Sequence, residues 1–483
     1  MDRRGTVGTS RPQAVRRDVA REQTPRPGDD VGVLTRLREA VDDVARHSPA
    51  RMTLVVFASV VGIVTALLSL PIATSTGQRA PFADALFTAT SAVCVTGLVT
   101  VDTATYWSPF GQVVILVGIQ IGGLGVMTLA SILGLAVSRR IGLTQKLLAA
   151  AETKTTRLGE VGSLLRAVLA TIAVIEGALW IVLFPKYLLI GYPLGEALWH
   201  SLFQAISIFN NAGFIIEEGG LGQYAGDWWM VMPIIIGAFI GALGFPAILS
   251  ISRNWRRPRQ WSLHAKLTVA TSTILWVVGT LAIGLLEWAN PRSFGTLPAA
   301  DRILNAMLAG MTPRSSGFST VDIATMTEST WFIQDALMFV GGGSASTGGG
   351  IKVTTFAVMV LAILAEARGD PDIEAFGRRI APTVLRLAVA VAFVGATLVG
   401  AGTLALLVLT DLHLDVVLFE VISAFATCGL STGITANLPD SAKYVLSALM
   451  FTGRLGTMTM AAALALRDRR RVIRLPEERP TIG

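Results

Sequence analysis

The chain has 483 residues, of which 52% are hydrophobic and only 15% charged, whereas soluble domains carry roughly 25% charged residues. This composition excludes an ordinary soluble enzyme, and the net charge of +7 is gathered in particular loops rather than in a patch suited to nucleic acid. Two cysteines and four histidines, without CxxC or HExxH spacing, exclude a disulfide framework and a zinc site.

Residues 1–51 are polar and arginine-rich, and the part up to Asp30 holds too little apolar matter to fold alone. Leu34, Leu37, Val41 and Val44 then recur at helical spacing, which predicts a short amphipathic helix on the cytoplasmic face. Next come apolar runs long enough to span a bilayer, which takes about 20 residues, alternating with runs too short to do so. The pattern predicts spans near 52–73 and 108–138, 163–185 and 228–252, 262–288 and 331–367, and 380–410 and 441–466. The short runs lie between them, near 82–94, 195–209, 300–312 and 415–427, and fit re-entrant segments.

Basic residues fix the orientation. Arg139, Arg140, Lys146, Lys154 and Arg157 follow the first pair of spans, and Arg253, Arg256, Arg257, Arg259 and Lys266 follow the second. Arg368, Arg378 and Arg379 follow the third, and Arg467 to Arg474 close the chain. The opposite loops hold Glu217, Glu218, Asp227, Asp322 and Asp411. The positive-inside rule puts both termini in the cytoplasm and makes the four units parallel. The expected organisation is a cytoplasmic tail 1–51, repeat 1 at 52–138, a cytoplasmic loop 139–162 and repeat 2 at 163–252, followed by repeat 3 at 253–367, repeat 4 at 368–467 and a C-terminal tail 468–483. The fold class is all-α integral membrane: four parallel M1–pore helix–M2 repeats, with eight transmembrane helices and four re-entrant pore helices around a central pore.

Each short run is followed by one glycine among small residues. Gly97, Gly213, Gly317 and Gly429 are separated by 116, 104 and 112 residues, and Phe87, Phe203, Met307 and Phe419 stand ten residues before them. Such a near-constant period is a repeat signature. A cation leaving water needs oxygens in exchange, and backbone carbonyls supply them without fixed charge. Glycine most easily adopts the backbone angles that aim carbonyls at an axis. The candidate filter is therefore Val95-Thr96-Gly97, Asn211-Ala212-Gly213, Ser315-Ser316-Gly317 and Thr427-Cys428-Gly429. One glycine per stretch, against the TVGYG of tetrameric potassium channels, implies fewer stacked binding sites and weaker discrimination. Asp84, Glu196, Asp301 and Asp415 stand at or near the starts of the short runs, where they are expected to cap free amides and complement the helix dipole. Cys94 and Cys428 read as small packed residues.

The third unit is interrupted by Gly341-Gly342-Gly343-Ser344-Ala345-Ser346-Thr347-Gly348-Gly349-Gly350. Six glycines in ten residues cannot hold a helix, at about 1 kcal/mol each. Irregular backbone at membrane depth survives only against protein or a water-filled cavity, so this stretch is expected below the filter as a gate. Its spacing fits neither GxxxxGK[ST] nor GxGxxG, so a phosphate loop is excluded. Related strings GGLG from Gly122, GALG from Gly241 and GRLG from Gly453 put Arg454 where Gly123 and Ala242 stand. An arginine inside a span faces an interior cavity by default; Arg454 is expected to raise the local barrier to a cation or to anchor the glycine loop. Lys352 is expected near the cytoplasmic mouth and Glu176 as a paired or packing-satisfied residue.

The stretch CVTGLVTVDTATYWSPFGQVVILVGIQIGGLGVMTL resembles the first repeat of the Trk/Ktr/HKT superfamily of potassium transporters, and NNAGF, PRSSGF and GGGSASTGGGIKVTT resemble its later signatures. The likeness covers roughly residues 52–467, and without two further N-terminal spans it is more similar to the Ktr-type membrane subunit. The resemblance implies potassium uptake at the cell membrane, with K+ as substrate and Na+ as a possible activator, and it implies that Arg314, which is similar to a family arginine, braces the third filter stretch from behind. It further implies a homodimer in membrane lipid with a cytoplasmic nucleotide-binding ring of RCK-domain subunits, this chain itself binding neither nucleotide nor nucleic acid. A sodium-coupled transporter with alternating access is the rival, but such folds commonly use inverted repeats. A membrane-embedded enzyme lacks any nucleophile, base or metal constellation.

Overall fold

Proline starts three of the four short helices. The chain arrives at Pro81, Pro193, Pro298 and His413 in an extended conformation, and a helix begins at the next residue in each case. Proline's locked φ and missing N–H suit such a start. The computed structural model describes residues 49–140 and 159–466, with side-chain surroundings for 54–125 and 166–456. The expected amphipathic helix at 33–44, the basic residues from Lys146 to Arg157 and the C-terminal tail lie outside the described residues.

In chain order the helices are α1 (Pro49–Leu68), α2 (Phe82–Val93), α3 (Pro109–Arg140), α4 (Gly159–Ile190), α5 (Leu194–Asn210), α6 (Trp228–Leu243) and α7 (Phe245–Arg253). They continue as α8 (Leu263–Glu287), α9 (Ala299–Met311), α10 (Glu328–Phe339) and α11 (Val353–Arg368). A small antiparallel hairpin, β1 (Ile373–Ala375) and β2 (Arg378–Ile380), precedes α12 (Pro382–Leu409), α13 (Leu414–Phe425) and α14 (Asp440–Leu466). Among the described residues, Arg166–Ile190, Leu263–Glu287 and Pro382–Leu409 are long and apolar enough to cross a membrane, and α6 with α7 makes a fourth when taken as one span. Large apolar side chains such as Val174, Leu285 and Val408 stand more than 70% exposed on these outer helices, as expected of surfaces solvated by lipid.

The short helices form a cycle. Helix α5 packs on α3, α9 on α6, α13 on α10, and α2 on α14, so the last helix closes against the first short one. Phe87, Phe203 and Phe419, one on each of α2, α5 and α13, are fully buried, while Met307 on α9 is partly buried. The described residues from Thr53 onward belong to one compact unit.

Two expectations need correction. The run 228–252 is not one straight helix: it bends by 99° between α6 and α7. The bend sits at Gly244 (φ +84°), where a Cβ would stand 2.5 Å from the Ser344 carbonyl oxygen, and Pro246 follows within the first turn of α7. The carboxylates at the short-helix starts do not act as caps, because the cap residues are prolines and a histidine without side-chain bonds. They keep the first-turn position that favours the dipole, and Asp84 forms an ion pair with Lys443 instead, Oδ1 to Nζ 2.8 Å.

Candidate functional site

Each short helix ends in the same backbone device. The residue two before each repeat glycine is in the left-handed region: Val95 (φ 56°), Asn211 (58°), Ser315 (71°) and Thr427 (48°). The glycines share the positive sign, with φ of 93°, 69°, 68° and 93°. For non-glycine residues such angles cost about 1–3 kcal/mol each and collect at functional sites; for β-branched Val95 and Thr427 the conformation is a true outlier.

The reason the chain accepts this strain is local bonding. The amides of Thr96, Ala212 and Cys428 donate to the carbonyls of Ser91, Ser207 and Ser423, at 2.7–2.8 Å. The same serines act through their hydroxyls. Ser91 Oγ accepts from Gly97 N at 3.0 Å, Ser423 Oγ from Gly429 N at 3.1 Å, and Ser207 Oγ donates to the Phe214 carbonyl at 2.8 Å. Each serine lies six residues before its glycine, a second regularity of the repeat. The third unit has Met311 there, and its Ser316 N bonds to Thr312 O instead. Arg314, wholly buried, supplies the missing brace: Nη1 donates to Ser272 O and Nη2 to Ser272 Oγ, both at 2.9 Å, tying this strand to α8.

The four strands meet. A Cβ on Gly97 would lie 2.5 Å from Ala212 O, one on Gly213 3.2 Å from Ser316 O, and one on Gly317 2.7 Å from Cys428 O, while one on Gly429 would collide with Thr96 O. Four carbonyls, one per strand, therefore pack against the glycine of the adjacent strand in a closed cycle. All twelve expected filter residues fall in this ring or on the strands that form it. The negative ends of four short helices are directed to it as well. Below the strands, Gly122, Gly241 and Gly453 let α3, α6 and α14 touch the last-turn carbonyls of Val93, Phe209 and Phe425, where any side chain would clash. This role was hidden in the GGLG, GALG and GRLG strings.

The glycine loop is seated directly on three of these strands. Asn211 Nδ2 donates to Thr347 Oγ1 at 2.8 Å, Gly349 N donates to Ser315 Oγ at 3.2 Å, and a Cβ on Gly349 would strike the Thr427 hydroxyl. Elsewhere the loop is stitched by Gly341 N to Ile351 O (2.9 Å), Val353 N to Gly342 O (3.1 Å), Gly343 N to Ala242 O (2.7 Å) and Phe245 N to Ala345 O (3.1 Å). Nine of its ten residues are buried, Ser344 being the half-buried exception. Ser346 Oγ holds Gly348 N at 3.2 Å, and the Gly350 φ of 65° turns the chain into Ile351.

Both cations expected at the gate are bonded to the loop. Arg454 is buried and its Nη1 donates to the Thr347 carbonyl. Lys352 Nζ donates to Gly348 O at 2.5 Å, so Lys352 folds back onto the loop it follows. Glu176 pairs with neutral groups: Gln120 Nε2 donates to one oxygen at 3.1 Å and Asn210 Nδ2 to the other at 3.0 Å. Asn210 ends α5 and immediately precedes the second filter strand, so this polar triad joins α3 and α4 to the end of α5. Cys94 and Cys428 are buried free thiols. On the loop after the second strand, Glu217 is buried and accepts from the Tyr187 hydroxyl; burial pushes its carboxyl above the ordinary range.

The family model of TrkH, described as a cation transport protein, matches residues 35–470. The chain belongs to the TrkH family. It is thus a multi-pass membrane transporter and not an enzyme. It is 35% identical to the Ktr system potassium uptake protein B of Bacillus subtilis (strain 168), over 89% of this chain and 96% of that protein. The Vibrio alginolyticus protein of the same name is also 35% identical, over 91% and 96%. The potassium/sodium uptake protein NtpJ of Enterococcus hirae is 31% identical, over 91% and 98%. In fold, this TrkH-family chain is similar to the crystal structure of the potassium transporter TrkH from Vibrio parahaemolyticus, with a TM-score of 0.65, 18% identity, and coverage of 84% of this chain and 83% of that one.

Proposed function

We propose that this TrkH-family chain takes up potassium across the cell membrane as the pore-forming subunit of a Ktr-type system. The observation that carries the reading is the closed cycle of the Thr96, Ala212, Ser316 and Cys428 carbonyls against Gly429, Gly97, Gly213 and Gly317, in that order. Four parallel M1–pore helix–M2 repeats, with eight spans and four re-entrant helices, surround that cycle, and both termini are cytoplasmic. Potassium exchanges its hydration water for strand carbonyls, and the four helix C-termini add negative potential without a fixed charge.

Residues 341–350 form the gate, held by Lys352 and Arg454. Their seat on Asn211, Ser315 and Thr427 supports this reading, because a loop bonded to two filter strands and packed on a third obstructs the path beneath them. The relatives' names supply potassium as the cargo, and one of them names sodium uptake beside it; in this chain Na+ acts as an activator. The functional unit is a homodimer in lipid, opened by a cytoplasmic RCK-domain ring that binds the nucleotide this chain does not. The test is rubidium flux into liposomes holding this chain, with and without the ring and sodium. Flux blocked by excess potassium is expected; a folded dimer that stays silent even with the ring would overturn the reading.

A further inference from the structure

The bend at Gly244 joins the glycine loop to an unusual piece of surface. Helix α7 has nine residues and ends at Arg253; after it the chain makes a tight turn, Asn254 to Ser262. That turn is ordered by Asn254 N to Ile251 O (3.1 Å), Arg257 N to Asn254 O (2.9 Å), Trp261 Nε1 to Asn254 O (3.0 Å) and Ser262 N to Ser250 Oγ (3.1 Å). Lys266 Nζ closes it by donating to Arg259 O at 2.9 Å. Presented on this rigid frame are Arg253, Arg256, Arg257 and Arg259, all exposed. Trp255 stands 66% exposed with the Arg256 guanidinium 4.7 Å from its ring centroid. No Asp or Glu occurs between Asp227 and Glu287, and none of these guanidiniums pairs with a carboxylate among the described residues.

With α6 along the bilayer normal, a 99° bend lays α7 in the membrane plane. A half-apolar helix in that plane, followed by unpaired arginines and an exposed tryptophan, has the composition of an interfacial anchor for negatively charged lipid. Tryptophan suits headgroup depth, and arginine pairs with phosphate through a planar fork. We propose that α7 and the turn 254–261 bind anionic phospholipid headgroups, and that this binding favours the seated state of the glycine loop. The second half follows from the stitching. Phe245 N, the first amide of α7, holds Ala345 O, Ala242 O on the other side of the bend holds Gly343 N, and Gly244 leaves room for the Ser344 carbonyl. A ligand that binds the in-plane arrangement of α7 shifts the population toward the loop geometry bonded to it.

The effect on transport rests on the potassium-pore reading, whereas binding and loop order do not. The experiment therefore uses the full chain in nanodiscs of phosphatidylcholine alone or with phosphatidylglycerol, and compares it with R256Q/R257Q/R259Q. Brominated phosphatidylglycerol should quench tryptophan emission severalfold more than brominated phosphatidylcholine, and the excess should vanish in W255F and in the triple variant. In the same discs, phosphatidylglycerol should slow hydrogen exchange of residues 341–350 severalfold, again only with the arginines present. Equal quenching by the two lipids, or a preference that survives the triple variant, would overturn the lipid site. Exchange at 341–350 that ignores phosphatidylglycerol would overturn the link to the loop. Flux is then read separately in liposomes: it should fall with phosphatidylglycerol in the parent and not in the triple variant. A chain that shows the quenching and exchange effects but carries no ion under any condition would count against the pore reading alone.

Discussion

Arg454 on α14 donates through Nη1 to the main-chain carbonyl of Thr347, tying the last described helix to the middle of the glycine loop. Its guanidinium is buried, and among the described residues no carboxylate pairs with it. The bond fixes the loop with charge assistance, and on the proposed pore reading the buried cation also raises the barrier to another cation below the ring. Such bonds contribute about 1.5–3 kcal/mol.

Arg454→Ala should therefore raise basal rubidium flux. Losing about 1.4 kcal/mol of loop anchoring changes the ratio of seated to released loop tenfold, so an increase of roughly that order is expected where most loops start seated. Arg454→Lys keeps the charge without the planar fork and should give a smaller increase. Unchanged basal flux from folded Arg454→Ala would remove Arg454 from the gate.

A different readout isolates the ring. Gly429 has φ 93°, and a side chain there collides with the Thr96 carbonyl of the adjacent strand. Gly429→Ser should displace that carbonyl and weaken discrimination of potassium over sodium while leaving uptake of both ions measurable. Thr347→Val should do the opposite. It loses the bonds to Asn211 Nδ2 and Gly241 O but touches no carbonyl of the ring, so flux should rise at constant selectivity. If the two variants shift the same quantity, ring and loop are not separate devices.

Much of this arrangement was legible in the sequence because it is written as repetition. Four glycines at a near-constant interval gave the ring, and six glycines in ten residues gave the loop. What repetition does not carry is which neighbour each strand meets. Arg454 could have faced a carboxylate, and only the fold shows that Thr347 O lies in reach. Lys352 was expected near the cytoplasmic mouth because it follows the glycine loop, and the fold adds that its ammonium turns back onto the Gly348 carbonyl. The break at Gly244 was hidden inside an apolar run whose hydropathy is blind to direction; the signal was the dipeptide Phe245-Pro246 after a glycine. Asp84 was assigned to the dipole of its own helix, since its partner Lys443 is 359 residues away in sequence.

Outside the membrane-spanning helices, Glu217 offers a pH test. Burial raises its carboxyl above the ordinary range, while in the unfolded chain it titrates normally. Below the unfolded value both states are protonated and there is no penalty. As pH rises from that value through the folded one, the unfolded state releases its proton first, and stability falls. Thermal unfolding in detergent should show a lower Tm for the parent as pH rises through this window. Glu217→Gln, which keeps an acceptor for Tyr187, should remove that component and be the more stable at neutral pH. A Glu217→Gln curve parallel to the parent across the window would show that the carboxyl ionises without cost.

The cycle of helices has one covalently open seam, where α14 meets α2, and the Asp84–Lys443 pair sits there. Lys443 Nζ is 2.8 Å from Asp84 and 3.4 Å from Asp440, and both partners of the closer pair are nearly buried. Removing one member of a buried pair leaves an uncompensated charge, at about 3–5 kcal/mol, whereas replacing both is often nearly neutral. Lys443→Met should therefore lower Tm in detergent clearly, and Asp84→Asn added to it should restore most of the loss. The seam also positions the first strand: Asp84 lies in the first turn of α2, whose C-terminal end carries Val95, Thr96 and Gly97. Selectivity should deteriorate with stability in Lys443→Met and recover with it in the double variant. If the two losses simply add, the pair is not what closes the ring.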